Sequence, residues 1–251
     1  METIRQLNEL LLSQDFSADE YASNETLRLQ ILAMNYARVE NAIAVLSDMR
    51  TNSSLIVYGG FAQRIGLATA GTGYGISSIW EKEILERIHP DDLNEKYILE
   101  LRYFQFIKHL SPTLRSHFYL AEKLRMKDSN GNYIQALHRM FYLSADTHNT
   151  IRYALCLYTP LTTDFPSGGR AVNTITGEMQ QMDSRNDKAM LSSREKQVLL
   201  LISKGMPSKD IANKLFISIN TVSRHRQKIL QKLQVSNSIE ACKIAKELGL
   251  I

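Results

Sequence analysis

The last sixty residues carry four helix-start signals at close spacing, and these constrain the fold more than any other feature of the sequence. In "SSRE", Ser192 and Glu195 stand three apart. At that spacing a serine hydroxyl takes a first-turn backbone N–H while a glutamate reaches back to the serine N–H. The helix they open runs to about Lys204 and stops at Gly205, which is free to take the left-handed conformation of a helix end. "SKDIANKLF" is a second, short helix. Ser218 caps a third, with Ile219 and Asn220 in its first turn, and Asn237 with Glu240 opens a fourth that ends near Gly249. Pro207, standing before the second helix, is expected to pass the cap position to Ser208.

Four short helices with a tight turn between the second and third are the layout of a helix-turn-helix domain. Successive residues on the third helix rotate by about 100°. Val222, Ile229 and Leu233 therefore share a narrow arc that must face a core, and Asn220, Arg224, Gln227, Lys228 and Gln231 gather opposite. A merely solvated face would show Glu–Lys pairs. This one mixes a guanidinium with amides, and Arg pairs bidentately with guanine as Asn or Gln does with adenine. Charge agrees: residues 191–251 hold eleven Lys or Arg against four Asp or Glu, whereas the preceding 190 residues have a net charge of −3. A locally basic domain of no consequence would show the same imbalance, so the side-chain pattern on the third helix carries the argument.

The stretch "LSSREKQVLLLISKGMPSKDIANKLFISINTVSRHRQKILQKLQVSNSIEA" resembles the C-terminal DNA-binding domain of LuxR/FixJ-type (GerE-like) transcription regulators. The match runs without a gap over residues 191–251 and includes Glu195, Gly205, Ile211, Ala212, Thr221, Val222, Ile229, Lys232 and Leu233. The resemblance implies that residues 218–233 are the recognition helix and 208–215 the scaffold helix. It further implies that Ser223, Arg224 and Gln227 face base edges and that Lys209, Thr221 and Lys228 meet phosphates; Asn220, an amide on the same arc, is expected to read bases with them. The fourth helix often supplies a dimer contact in that family. Ser223 stands where the family often has lysine, which puts the preferred DNA site in doubt. His225 and Arg226 lean toward the core side and read as packing or snorkelling residues.

The remainder of the chain is long enough for a second domain. "METIRQLNELLLSQ" reads as an amphipathic helix and not as a signal peptide. From Ser17 to Arg50 there is no proline or glycine, and Leu29, Leu32, Tyr36, Val39, Ile43 and Leu46 alternate at three and four, which predicts a helix with one apolar seam. That seam either packs on the next domain or pairs two subunits. "NSSLIVYGGFAQRIGL" predicts a strand with a turn at the paired glycines. "SSIWEKEILERI" and "DDLNEKYILELRYFQFIKHL" predict helices, the first ended by Pro90 and the second capped by Asp91. "HFYLAEKLRMK", "YIQALHRMFYLSA" and "TIRYALCLYTPL" predict antiparallel strands, and "AVNTITGEMQQM" a hairpin turning at Gly177. Polar, aperiodic "DSRNDKAM" predicts a linker at 183–190.

"SSIWEKEILERIHPDDL" followed by a long helix and "FYLAEKLRMKDSNGNYIQALHRMFYL" is similar to a PAS sensor domain, whose closing strands carry a "G-x-Y" turn, here Gly131 and Tyr133. The similarity covers roughly residues 51–161. Other sensor types fit less well. There is no acidic pair and acceptor Asp of a receiver domain, no Trp–Tyr–Asp pattern of an acyl-homoserine-lactone domain around Trp80, and "AGTGYGISS" lacks a phosphate-loop lysine. His89, Asp91 and Asp92 are better explained as a capped helix corner than as ligands. His138 reads as a packed or hydrogen-bonded histidine, and Cys156 as a small buried hydrophobe. Phe104, Phe106, Phe118, Tyr119, Phe141 and Tyr142 are available to line a pocket, although core packing explains most of them.

The expectation is an α+β chain: N-terminal helices over 1–50, a PAS-like antiparallel sheet with helices over 51–182, a linker at 183–190, and an all-α four-helix domain over 191–251. The expected function is sequence-specific DNA-binding transcription regulation, with the PAS-like domain sensing a signal or mediating dimerisation. An adaptor whose helix-turn-helix no longer binds DNA is the rival. No catalytic set, metal motif or cofactor motif is found, so an enzyme is not expected. The two cysteines lie far apart and form no redox or metal motif, which fits a reducing cytoplasm. Partners implied are double-stranded DNA, a second copy, the transcription machinery and an unknown small molecule, with no membrane.

Overall fold

Asn41, in the left-handed conformation at φ 55°, separates the N-terminal helices from the sheet. Helix α1 spans Glu2–Leu12, α2 spans Ala22–Val39, and β1 follows at Ile43–Asp48. The helix expected over 17–50 therefore stops at Val39, and its last apolar residues, Ile43 and Leu46, belong to a strand. A left-handed residue cannot propagate a helix, and β1 finds partners on both sides, β2 and β6. The computed structural model describes residues 2–16, 22–108, 110–143, 150–183, 191–233, 235, 237–247 and 250–251. All but the first residue of the expected linker lies outside them, as does Gly249.

The remaining elements are β2 (Ser53–Tyr58), α3 (Gly60–Arg64), β3 (Gly73–Ile76), α4 (Lys82–Leu85), α5 (Pro90–Lys108), α6 (Pro112–Arg115), β4 (Phe118–Lys127), β5 (Tyr133–Leu143), β6 (Tyr153–Pro160), β7 (Arg170–Asn173) and β8 (Met179–Gln181). They are followed by α7 (Ser193–Ser203), α8 (Ser208–Leu215), α9 (Ile219–Leu233) and α10 (Ser238–Glu247). The chain is α+β, as expected. Its strands form one antiparallel sheet in the order β3-β2-β1-β6-β5-β4-β7-β8. Two compact units are present, Met1–Glu100 with Leu110–Gln181, and Leu101–His109 with Met182–Ile251. No helix among the described residues is long and apolar enough to cross a membrane.

The two faces of the sheet differ in chemistry. On one, Leu46, Leu155 and Leu157 pack against Ala33 and Ala37 of α2, with Leu29, Leu32 and Tyr36 at the edge. The apolar seam is thus used within its own unit, except for Val39, which is 82% exposed. On the other face, register aligns Glu122, His138, Tyr158, Ile43 and Tyr58 across five strands. Polar groups are buried here: His138 Nδ1 lies 3.0 Å from Glu122, Tyr158 donates to Glu81 at 2.6 Å, and Lys96 pairs with Glu100. The stacking of His138 on Tyr158 agrees with the packed role expected for this histidine.

Three further expectations change. The paired glycines do not turn a hairpin. A Cβ at Gly59 would meet the Ala37 and Ala42 carbonyls at 2.3 and 2.4 Å, so Gly59 permits close backbone approach and Gly60 begins α3. The helix expected from "SSIWEKEILERI" shrinks to α4, because the backbone around Ile88 pairs with β4 instead: His89 N–H donates to the Arg125 carbonyl and Lys127 N–H to that of Arg87. Pro90 does not end a helix but occupies the first position of α5, where its missing N–H is not needed. The cap position moves to His89, whose Nδ1 accepts the Asp91 N–H at 3.3 Å, and the Asp91 side chain is exposed. The hairpin turning at Gly177 is present, with φ 74° at that residue.

Asp92 anchors α5 to β4. It accepts the Arg125 backbone N–H at 2.7 Å and the guanidinium at 2.6 Å. Burial opposes ionisation of Asp92, but the Arg125 hydrogen bonds outweigh it and hold the carboxyl below its ordinary value. A depressed carboxyl contributes stability above the unfolded pKa and loses it as pH falls through the folded one. The thermal midpoint gap between wild type and Asp92→Asn should therefore be widest near neutrality and close below about pH 4. A gap independent of pH would remove the ion pair from this account.

Candidate nucleic-acid interface

Each helix of the C-terminal unit begins where its sequence signal places it, with one exception. The Ser192 hydroxyl accepts the Glu195 N–H and the Glu195 carboxylate accepts the Ser192 N–H at 2.7 Å, which completes the capping box. Gly205, at φ 77°, follows the end of α7. Ser218 Oγ accepts the Thr221 N–H at 3.1 Å, and Asn237 Oδ1 accepts the Glu240 N–H at 3.0 Å. The exception is α8, whose cap is Pro207 itself, in extended backbone and with no side-chain acceptor. Ser208 is the first helical residue, and its hydroxyl is taken by Arg226 at 3.1 Å.

Val222, Ile229 and Leu233 of α9 are buried, as are Val198 and Leu199 of α7 and Ile211 and Ala212 of α8. The opposite arc is open: Asn220, Ser223, Arg224, Gln227, Lys228 and Gln231 are exposed, as is Lys209 on α8, while Thr221 is half-buried. The structure thus brings all four residues expected at base edges onto one exposed arc. Between α8 and α9 the chain turns through Phe216, left-handed at φ 53° and 95% exposed.

Three polar contacts, none of which the spacing of the sequence revealed, hold this geometry. Lys232 Nζ donates to Glu195 at 2.7 Å and ties the end of α9 to the start of α7. Arg226 spans Ser208 and Ser238, both at 3.1 Å, and joins α9 to α8 and α10. Arg194 donates to the Leu215 carbonyl at 2.6 Å and satisfies the end of α8. The expected inward lean of Arg226 is therefore a hydrogen-bonding role. His225 is half-buried, with Nδ1 enclosed. The signal available was chemical: a serine at the start of each flanking helix, within reach of one long guanidinium.

Burial opposes ionisation of Glu195, yet the hydrogen bonds from Lys232 and Ser192 prevail and hold its carboxyl below the ordinary value. Glu195→Gln should destabilise the domain by about 1–3 kcal/mol, the range for a charge-assisted hydrogen bond with a buried acceptor. Faster hydrogen exchange across α7 and α9 in the full chain is the expected readout. Unchanged protection would mean that apolar packing alone orients α9.

Comparison with known proteins agrees with this geometry over the C-terminal region. The family model of bacterial regulatory proteins, luxR family, matches residues 189–245. A putative positive transcription regulator of virulence factors, BvgA of Bordetella pertussis, is 38% identical over 92 residues, which are 35% of this chain and 41% of that protein. The oxygen regulatory protein NreC of Staphylococcus carnosus is 41% identical over 73 residues, 29% of this chain and 34% of that protein. The chain thus spans well under half the length of these curated relatives. Among solved structures, the phage VqmA–DPO complex aligns over 91% of this chain and 92% of its own, at 13% identity and a TM-score of 0.33. Sequence match and helix geometry together make the C-terminal region a helix-turn-helix domain of the luxR family of bacterial regulatory proteins.

Proposed function

We propose that this chain is a cytoplasmic, sequence-specific transcription regulator that binds double-stranded DNA as a homodimer. The observation that carries the reading is α9 itself, apolar and buried on one arc and exposed on the other through Asn220, Ser223, Arg224 and Gln227. Those four side chains read base edges in the major groove, with Arg224 suited to guanine and Asn220 or Gln227 to adenine. Lys209, Thr221 and Lys228 fix the register on phosphates. Two copies place their recognition helices in successive major grooves of a two-fold-related site and present a surface to the transcription machinery.

The unit before this domain is the sensory or dimerising part, PAS-like over about 51–182, with β1 drawn in from the segment before it. Support comes from the strand order β2-β1-β6-β5-β4, with helices α3–α6 inserted between β2 and β4. Leu27, Ile31 and Met34 recur along one arc of α2 and are 57%, 49% and 55% exposed, which supports pairing with a second copy. Of the six aromatics expected near a pocket, Tyr142 lines the cavity on the polar face of the sheet, whereas Tyr119 and Phe141 stack on each other at 4.9 Å. That cavity measures about 30 Å³, room for water but not for a drug-sized molecule. An organic signal would have to part the elements around it.

On a selected DNA site, Arg224→Ala should cost about 1–3 kcal/mol of binding and relax sequence preference. Lys228→Ala should weaken binding to every sequence alike and make the salt dependence shallower by about one ion. If neither change has an effect and no DNA site can be selected, the adaptor reading replaces this one. Ile31→Glu with Met34→Glu should shift sedimentation from dimer toward monomer, and an unmoved dimer would place the contact elsewhere.

A further inference from the structure

Beneath the helices, on the polar face of the sheet, lies a group of side chains that DNA binding does not use. Glu100 comes from α5, His138 from β5 and Cys156 from β6, and all three are buried. Met140 pairs with Cys156 and His138 with Tyr158, so the histidine and the cysteine project from one face of neighbouring strands. One ligand-type atom from each of Glu100, His138 and Cys156 lies within 4.8 Å of the other two.

We propose that this core binds one divalent transition-metal ion of the zinc class through Glu100, His138 and Cys156. A thiolate, an imidazole nitrogen and a carboxylate oxygen form a zinc donor set, and the sulfur disfavours magnesium and calcium. The histidine is prepared for this role. Its Nδ1 faces the Glu122 carboxyl at 3.0 Å, while its Nε2 is buried with no hydrogen-bond partner. A buried ring nitrogen left unpartnered is costly and calls for an explanation. A carboxylate on one nitrogen and a metal on the other is the arrangement that orients ligating histidines. Metal on Nε2 places the ring proton on Nδ1, where Glu122 accepts it.

Three carboxyl side chains, Glu81, Glu100 and Glu122, converge on this buried space together with the Lys96 ammonium. Lys96 hydrogen-bonds one oxygen of Glu100. Formation of the metal–sulfur bond releases the Cys156 thiol proton to solvent. Atoms bound to one zinc ion stand roughly 3.3–3.7 Å apart, so the group must contract by about 1 Å. Glu100 and Cys156 both line the cavity of about 30 Å³, which has room for a water as fourth ligand. Trp80, the only tryptophan of the chain, lines the same cavity and reports on it.

The test is titration of the metal-free full-length protein with Co²⁺, then competition with Zn²⁺. The expected result is a single equivalent per chain, a thiolate-to-cobalt charge-transfer band, quenching of Trp80 fluorescence, and displacement of cobalt by zinc. Cys242→Ser should keep the band, since Cys156 is then the only sulfhydryl. Cys156→Ser and His138→Gln should abolish stoichiometric binding, and Glu122→Gln should weaken it by about 10–100-fold. The proposal is overturned if wild type takes up no stoichiometric metal, if the band disappears with Cys242→Ser, or if folded His138→Gln binds as wild type does. Should Cys156→Ser fail to fold, the Cys242→Ser spectrum still decides.

Discussion

Everything the C-terminal domain presents to a partner depends on how far α9 is rotated about its own axis. Apolar burial of Val222, Ile229 and Leu233 selects the inner arc, but hydrophobic contact is non-directional and tolerates sliding. The Glu195 carboxylate removes that tolerance, because it must accept from the Ser192 N–H and the Lys232 ammonium at once. Arg226 adds a second fixed point by reaching serines on both flanking helices. A rotation of one residue, about 100°, would carry Arg224 and Gln227 off the exposed arc. The same capping box that starts α7 therefore also sets the aim of α9, and one buried carboxylate serves both ends of the domain.

The sheet unit solves a different problem. Strand β6 is buried along nearly its whole length, with β1 on one side and β5 on the other, so two helical layers must cover it. Small residues on α2, Ala33 and Ala37, let the helix lie close over the leucines of the apolar face. The opposite face carries a row of ionisable groups that an ordinary core would exclude. Burial raises the Glu122 carboxyl to about 8, with the Lys96 ammonium working against that rise, and His138 is held neutral by burial and by the same lysine. Burying such groups costs stability unless they are paired and hydrogen-bonded. Glu81, Lys96, Glu100 and Cys156 line one small cavity on this face, which separates it from packing alone.

Local signals in the sequence were reliable where one residue type has one favoured backbone role. The caps at Ser192, Ser218 and Asn237, the glycines after α7 and between β7 and β8, and the alternation along β4 all appear where the spacing puts them. Errors came from residues with two roles. Pro90 ends a helix or begins one, and the pairing of residues 87–89 with β4 chose the second. Pro207 displaced no cap, because a serine already claimed by Arg226 was not free to serve. Ile43 and Leu46 kept the helical spacing of the seam by coincidence, and the left-handed Asn41 with two waiting strands overruled it. The inward position of Glu122, between Leu120 and Leu124 on alternate residues of β4, is legible in the spacing alone.

By itself, the sequence determined three of the four helix starts in the last sixty residues, the arc of α9 that must be buried, the charge asymmetry and the three long strands. Each of these follows from local backbone preference or from periodicity, which act within a few residues. Only the tertiary structure decided that β1 joins the centre of the sheet, that Lys232 and Arg226 lock the recognition helix, and that Glu100, His138 and Cys156 meet. These groups are separated by tens of residues along the chain, and strand register and helix packing alone bring them within reach.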